Sequence, residues 1–147
     1  MIVMVSILAA CGKEQSYEPQ AINPDVDVCE ICNMSVSDNT YATQIITNEG
    51  VAYKFDDIGC MMEYIYKEQK MNVEEIEKQY VRDMFSGDWI EMEQAYFVYD
   101  EEIWTPMSFG MISFATKEDA ERYVKEESMG VVYDYTQLLE HKWGWES

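Results

Sequence analysis

The sequence predicts an α+β protein built from two small, similar strand-strand-helix units with antiparallel hairpins. Three observations carry that reading. Short β-rich runs alternate apolar and polar residues and are joined by turn residues. A helical stripe follows directly on a strand in two places. The regular βαβα alternation of a doubly wound sheet is missing. At 147 residues and 48% hydrophobic content, the chain can bury one ordinary core or two small ones. Its 29 acidic residues against 10 basic would repel a polyanion, so nucleic acid is excluded as a partner.

The elements follow in order. "MIVMVSILAA" is apolar and uncharged but only half as long as a membrane-spanning helix. With "LAAC" and Gly12 after it, residues 1–11 form a truncated lipoprotein signal whose lipobox marks Cys11 for lipidation. Residues 12–27, "GKEQSYEPQAINPDVD", are polar and carry two prolines, a tether spanning roughly 20–24 Å as a flexible chain. The first unit, residues 28–86, begins with "VCEICNMSVSD". "TYATQIIT", the turn "NEG" and "VAYKFD" read as a hairpin. A helix from Asp57 to Gln69 follows, with Ile58, Met61, Met62 and Ile65 on one apolar stripe. Asp56 and Asp57 precede it and read as structural caps that favour the helix dipole. "NVEEIEKQY" reads as a second helix-like or irregular piece, leading through "VRDMF" to the loop "SGD".

The second unit, residues 87–147, opens with "WIEMEQAYFVYD", one or two strands. "FGMISFATKEDAERYVKE" then gives a strand ending at Phe114 and a helix opened by Thr116 with Asp119 as capping partner. Setting Phe114 on Phe55 places Tyr123 on Tyr64 and Val124 on Ile65, all at one offset, which suggests an internal duplication. "MGVVYDYTQLLE" supplies a short strand and a last helical turn.

The chemistry lies in "CEICNM". With Cys11 lipidated, three cysteines remain, Cys29, Cys32 and Cys60, and at least one thiol must be free. A redox dithiol at Cys29 and Cys32 needs a helix N-terminus to activate it, and Asn33 and Ser35 favour a turn instead. A structural zinc site needs four donors, so Cys60 and the single histidine, His141, would have to come from far along the chain. A soft monovalent ion, Cu(I), is satisfied by thiolate and thioether with two or three ligands. Cys32-x-Met34 puts both sulfurs on one side of an extended segment. Among 11 methionines, Met107 stands out. It lies in the loop "WTPMSFGM", where a long apolar side chain has no periodic partner, whereas Met61, Met62, Met84 and Met92 fit core positions. No Ser/His/Asp set and no phosphate-cradling glycine loop can be assembled, which argues against an enzyme.

The lipobox, "CEICNM", "YKFDDIGCM" and "TPMSFGMISFATKEDAERYVKE", in this order, make the chain resemble the NosL family of nitrous oxide reductase accessory lipoproteins, from about Val28 to Leu139. The resemblance implies a membrane-anchored Cu(I) carrier on the extracytoplasmic face of the cell membrane, built from two α+β units. It implies partners as well, an ABC-type assembly complex and, through it, the copper-sulfur centre of the reductase. By position, Cys32 and Met34 match the family's Cys-x-Met, Cys29 its preceding cysteine and Met107 the methionine of its second-half loop. Asn33 stands where the family usually has glycine, and asparagine tolerates the left-handed backbone that glycine supplies.

Overall fold

The computed structural model describes residues 15–146, so the apolar leader, Cys11 and its lipobox lie outside the described residues. Seven strands form two antiparallel sheets. β1 (Thr43–Thr47), β2 (Ala52–Phe55), β3 (Ile76–Arg82) and β4 (Trp89–Glu91) stand in the order β2-β1-β3-β4, and β5 (Tyr96–Tyr99), β6 (Met111–Phe114) and β7 (Val131–Tyr133) in the order β6-β5-β7. In both sheets the first strand of the unit is central, flanked by the second and third. This is the expected α+β class.

The duplication is visible in three dimensions. β2 ends at Phe55 and α1 (Ile58–Met62) follows with Asp57 as N-cap; β6 ends at Phe114 and α2 (Lys117–Glu127) follows with Thr116 as N-cap. Phe55 meets the ring of Tyr64 at 5.3 Å, and Phe114 meets Tyr123 at 5.4 Å. The same aromatic pair thus fixes the strand-to-helix angle in each unit. The Thr116 hydroxyl accepts from the Asp119 N–H and donates to its carboxylate, which opens α2 as its sequence predicts. α1 carries on as a π-helical turn, Glu63–Lys67, so the helical stretch ends two residues short of Gln69. A terminal helix, α3 (Tyr135–Leu139), opens on a capping box between Asp134 and Gln137.

Three expectations are corrected. "NVEEIEKQY" is a 3₁₀ turn at Val73–Glu75 and then β3, rather than a helix-like or irregular piece. Its glutamates favour helix locally, but β3 is hydrogen-bonded on both edges, to β1 and to β4, and that ladder overrides propensity. The polar segment before Val28 does not run free from Gln15 onward. Ile22 is buried, Gln20 and Gln44 exchange hydrogen bonds between backbone and side chain, and the Tyr80 hydroxyl donates to the Tyr17 carbonyl. The first sheet also extends past residue 86, because β4 pairs with β3.

One core joins the two units. Phe55, Ile58, Met61, Met62 and Met92 pack with Phe97, Met111, Leu138 and Trp143. A second cluster fills the far side of the smaller sheet, where Val98, Ile112 and Phe114 meet Ala120, with Tyr123 and Val124 at its edge. The end of β3 is stitched to β6 by Met84 N–H donating to the Ser113 carbonyl at 2.8 Å, the Ser113 hydroxyl to the Arg82 carbonyl at 2.6 Å and Ala115 N–H to Asp83 Oδ1 at 2.9 Å. Among the described residues no helix is long and apolar enough to cross a membrane.

Candidate metal centre

The segment that opens the first unit folds into a tight turn. Val28 bridges Ser35, Cys29 N–H donates to the Met34 carbonyl at 2.8 Å, and Asn33 N–H donates to the Cys29 carbonyl at 3.0 Å. Asn33 takes φ 58°, the left-handed conformation expected of a residue standing in for glycine. The backbone N–H groups of Cys32, Asp56 and Ile31 face the Cys29 sulfur, and that of Met34 faces the Cys32 sulfur. The turn therefore presents both thiols to one point and surrounds them with donors that favour the ionised form.

That point is closed by the end of β2 and the start of α1. The sulfurs of Cys29, Cys32 and Cys60 and a carboxylate oxygen of Asp56 all lie within 4.8 Å of one another. Cys29 and Cys60 are fully buried, Asp56 nearly so, and Cys32 is half-exposed at the mouth. All three thiols are free. The Cys32 thiol donates to Asp56 Oδ2 at 3.2 Å, while Asp56 Oδ1 is buried without a partner.

The thiols differ in acidity. Cys29 is drawn down to about 7, chiefly because the Cys60 thiol donates to it, with the surrounding N–H groups adding to the effect against the opposing cost of burial. Cys32 is pushed up to about 12 by burial first, and by its bonds to Asp56 and Cys29. Cys60 is driven far above the ordinary thiol range by its bond to Cys29 and by burial. The pocket thus biases one sulfur, Cys29, toward the thiolate and flanks it with two thiols that a metal would have to deprotonate.

The second unit contacts the neighbouring cap of α1 through the loop after β5. Asp57 caps α1 by accepting from Gly59 N–H at 2.9 Å, and its other oxygen accepts from Met107 N–H at 3.0 Å. The Thr105 hydroxyl also bonds Asp57, and Thr105 Oγ1 accepts from Phe109 N–H at 3.0 Å. Phe109 packs against Gly59, where an added Cβ would collide with its ring. Gly110, at φ 68°, turns the chain back so closely that a Cβ would strike the Asp100 carbonyl. Asp57 is held above the usual carboxylate range by burial, against the hydrogen bonds from Thr105, Met107 and Gly59.

The structure therefore brings Cys29 and Cys32 together with Cys60 and Asp56. Met34, two residues after Cys32, is 47% exposed, and Met107 is half-buried in the loop after β5. His141 is not part of the group. It stands among aromatic rings, 4.3 Å from Tyr99 and 4.7 Å from Trp143 between ring centres, so the zinc set that pairs Cys60 with His141 is not formed. Asp56 is the residue that sequence reasoning placed wrongly. Only Asp57 caps the helix, and its neighbour serves the thiols. The signal for that was two consecutive carboxylates where one cap suffices.

These features define a class, a duplicated α+β protein with a thiol-rich pocket in its first unit. The NosL family model matches residues 19–142, and the chain belongs to the NosL family. Its fold is similar to the crystal structure of the copper chaperone NosL from Shewanella denitrificans, with a TM-score of 0.69 and 20% sequence identity over 81% of this chain and 93% of that one. No curated protein matches the chain significantly.

Proposed function

We propose that this chain is a lipid-anchored Cu(I) carrier on the extracytoplasmic face of the cell membrane, supplying copper for assembly of the nitrous oxide reductase copper centre. Family membership and the similarity to a copper chaperone of the same fold support this reading. The observation that carries it is the pocket itself, where three free thiols converge and Cys32 is only partly buried. Cu(I) favours thiolate and thioether and tolerates low coordination, so the site offers an ion secure ligands inward and a labile one outward. In this reading Cys32, with Cys29 behind it, is the principal ligand. Met34 and Met107 add neutral thioethers that a recipient can displace. Lipid on Cys11 would tether the carrier, about 0.8 kcal/mol per buried methylene. The partners in this reading are the ABC-type assembly complex and, through it, the reductase.

A thiol-disulfide oxidoreductase is the less favoured alternative. The thiolate-forming cysteine, Cys29, is fully buried, whereas redox exchange needs the nucleophilic sulfur exposed.

The test is a Cu(I) competition titration against a chromogenic chelator under anaerobic, reducing conditions. Wild-type protein should bind Cu(I) tightly, and Cys32→Ser should lose that binding with its circular dichroism unchanged. Retention of wild-type affinity by Cys32→Ser would place the site elsewhere.

A further inference from the structure

The polar segment ahead of Val28 is strapped along the whole length of the first sheet. Its start is held at the tip of the β1–β2 hairpin. Gln15 Nε2 donates to the Asn48 carbonyl at 2.9 Å, the Tyr17 hydroxyl donates to the same carbonyl at 3.2 Å, and the Gln15 side chain lies over Gly50. From there the strap returns across the strands. The Tyr80 hydroxyl donates to the Tyr17 carbonyl, Gln20 and Gln44 exchange hydrogen bonds, and Lys54 Nζ donates to the Ala21 carbonyl at 2.9 Å and pairs with Asp27 at 2.7 Å. The strap ends in the turn of Cys29 and Cys32, where Cys32 bonds Asp56 just past the far end of β2. The first held residue and the thiol pocket therefore sit at opposite ends of one strand.

We propose that this strap orients the protein at the lipid surface, with the hairpin tip toward the membrane and the thiol pocket turned away from it. The inference rests on the lipid anchor at Cys11. Only Gly12, Lys13 and Glu14 separate Cys11 from Gln15. Those four steps span about 10–12 Å as a flexible chain and no more than about 14 Å fully extended. Val51 and Asp56, five residues apart along β2, are separated by about 16 Å. An inverted pose, with Cys32 on the lipid and the tip above it, needs more reach than the tether has. The end facing the membrane exposes Val51 and Val73, together with Glu49, Glu74 and Glu75. Two valines give little apolar area, and the carboxylates oppose anionic headgroups. The short tether, rather than adhesion of the tip, sets the orientation. A recipient then meets Cys32 from the aqueous side, about 16 Å or more above the lipid.

The full chain would be purified from membranes, its Cys11 checked for lipid by mass spectrometry, and the protein reconstituted in phosphatidylcholine vesicles carrying a trace of headgroup energy acceptor. A genetically encoded fluorophore, which leaves the thiols untouched, would stand at Glu49 in the tip or at Ser37, exposed two residues beyond the pocket turn. Energy transfer should place Glu49 within about 15 Å of the headgroups and Ser37 about 15 Å farther out. A flexible insert of about twelve glycine and serine residues after Gly12 brings the average reach to roughly 22 Å and should erase most of that difference. A lipidated chain with Ser37 as near to the headgroups as Glu49, or nearer, overturns the orientation and leaves the anchor standing. A difference that survives the insert overturns the tether as its cause. Unmodified Cys11 overturns the anchor and the orientation together.

Discussion

Cys29, Cys32, Cys60 and Asp56 share one pocket but were not equally visible in the sequence. Cys-x-x-Cys announces itself by spacing, and the turn that serves it was legible in Asn33 and Ser35. Cys60 and Asp56 were not, because their roles come from where β2 meets α1, a contact spanning more than twenty residues of sequence. Cys29→Ser is predicted to do more damage than its distance from the surface suggests. It replaces the sulfur on which three N–H groups and the Cys60 thiol converge, so both Cu(I) binding and stability should fall. Loss of a buried hydrogen-bonded group typically costs about 1–3 kcal/mol, readable as a lower urea midpoint. An unchanged midpoint would mean that the pocket is not preorganised around Cys29.

The loop from Thr105 to Gly110 is the element on which the copper reading turns. Pro106 and Gly110 mark it as a turn in the sequence, and Met107 stood out for want of a periodic partner. Its attachment to Asp57 and Gly59 of the other unit was invisible, since it depends on a cap that also serves as an anchor. Met107→Leu preserves volume and apolar character, so stability should change by less than about 1.5 kcal/mol. Cu(I) affinity should fall about tenfold, near 1.4 kcal/mol, in the same competition titration. Equal affinity would make Met107 a packing residue. Gly59→Ala attacks the loop from the opposite side. The added methyl drives into the Phe109 ring, and overpacking of this kind costs about 1–3 kcal/mol. Thermal unfolding should show that loss, together with weaker Cu(I) binding. Binding unaffected by so large a shift would separate the loop from the site.

At the scale of the whole molecule, the duplication was legible because Phe55 and Phe114, Tyr64 and Tyr123 kept their spacing, and the structure shows why, since each pair sets one strand against one helix. The third strand of the first unit reads in sequence as a helix-like or irregular piece because its partners lie on both sides of it and its own glutamates favour helix. The units are joined where Asp83 accepts from Ser86 and Ala115 N–H groups. Burial opposes the Asp83 charge, but the Ser86 and Ala115 hydrogen bonds prevail and hold its pKa below the ordinary 3.8. A carboxylate depressed on folding stabilises the protein above its unfolded pKa, and that contribution fades as pH falls through the folded value. Asp83→Asn should therefore cost about 1.5–3 kcal/mol at pH 7 and measurably less at pH 3.5 by urea unfolding. A cost independent of pH would contradict the ionic reading of the joint. The central claim is that sulfur in the thiol pocket of the first unit holds copper. Copper-edge X-ray absorption on the chain loaded anaerobically with one equivalent of Cu(I) tests this most directly. The account predicts a coordination sphere of sulfur alone, and one dominated by oxygen or nitrogen would contradict it.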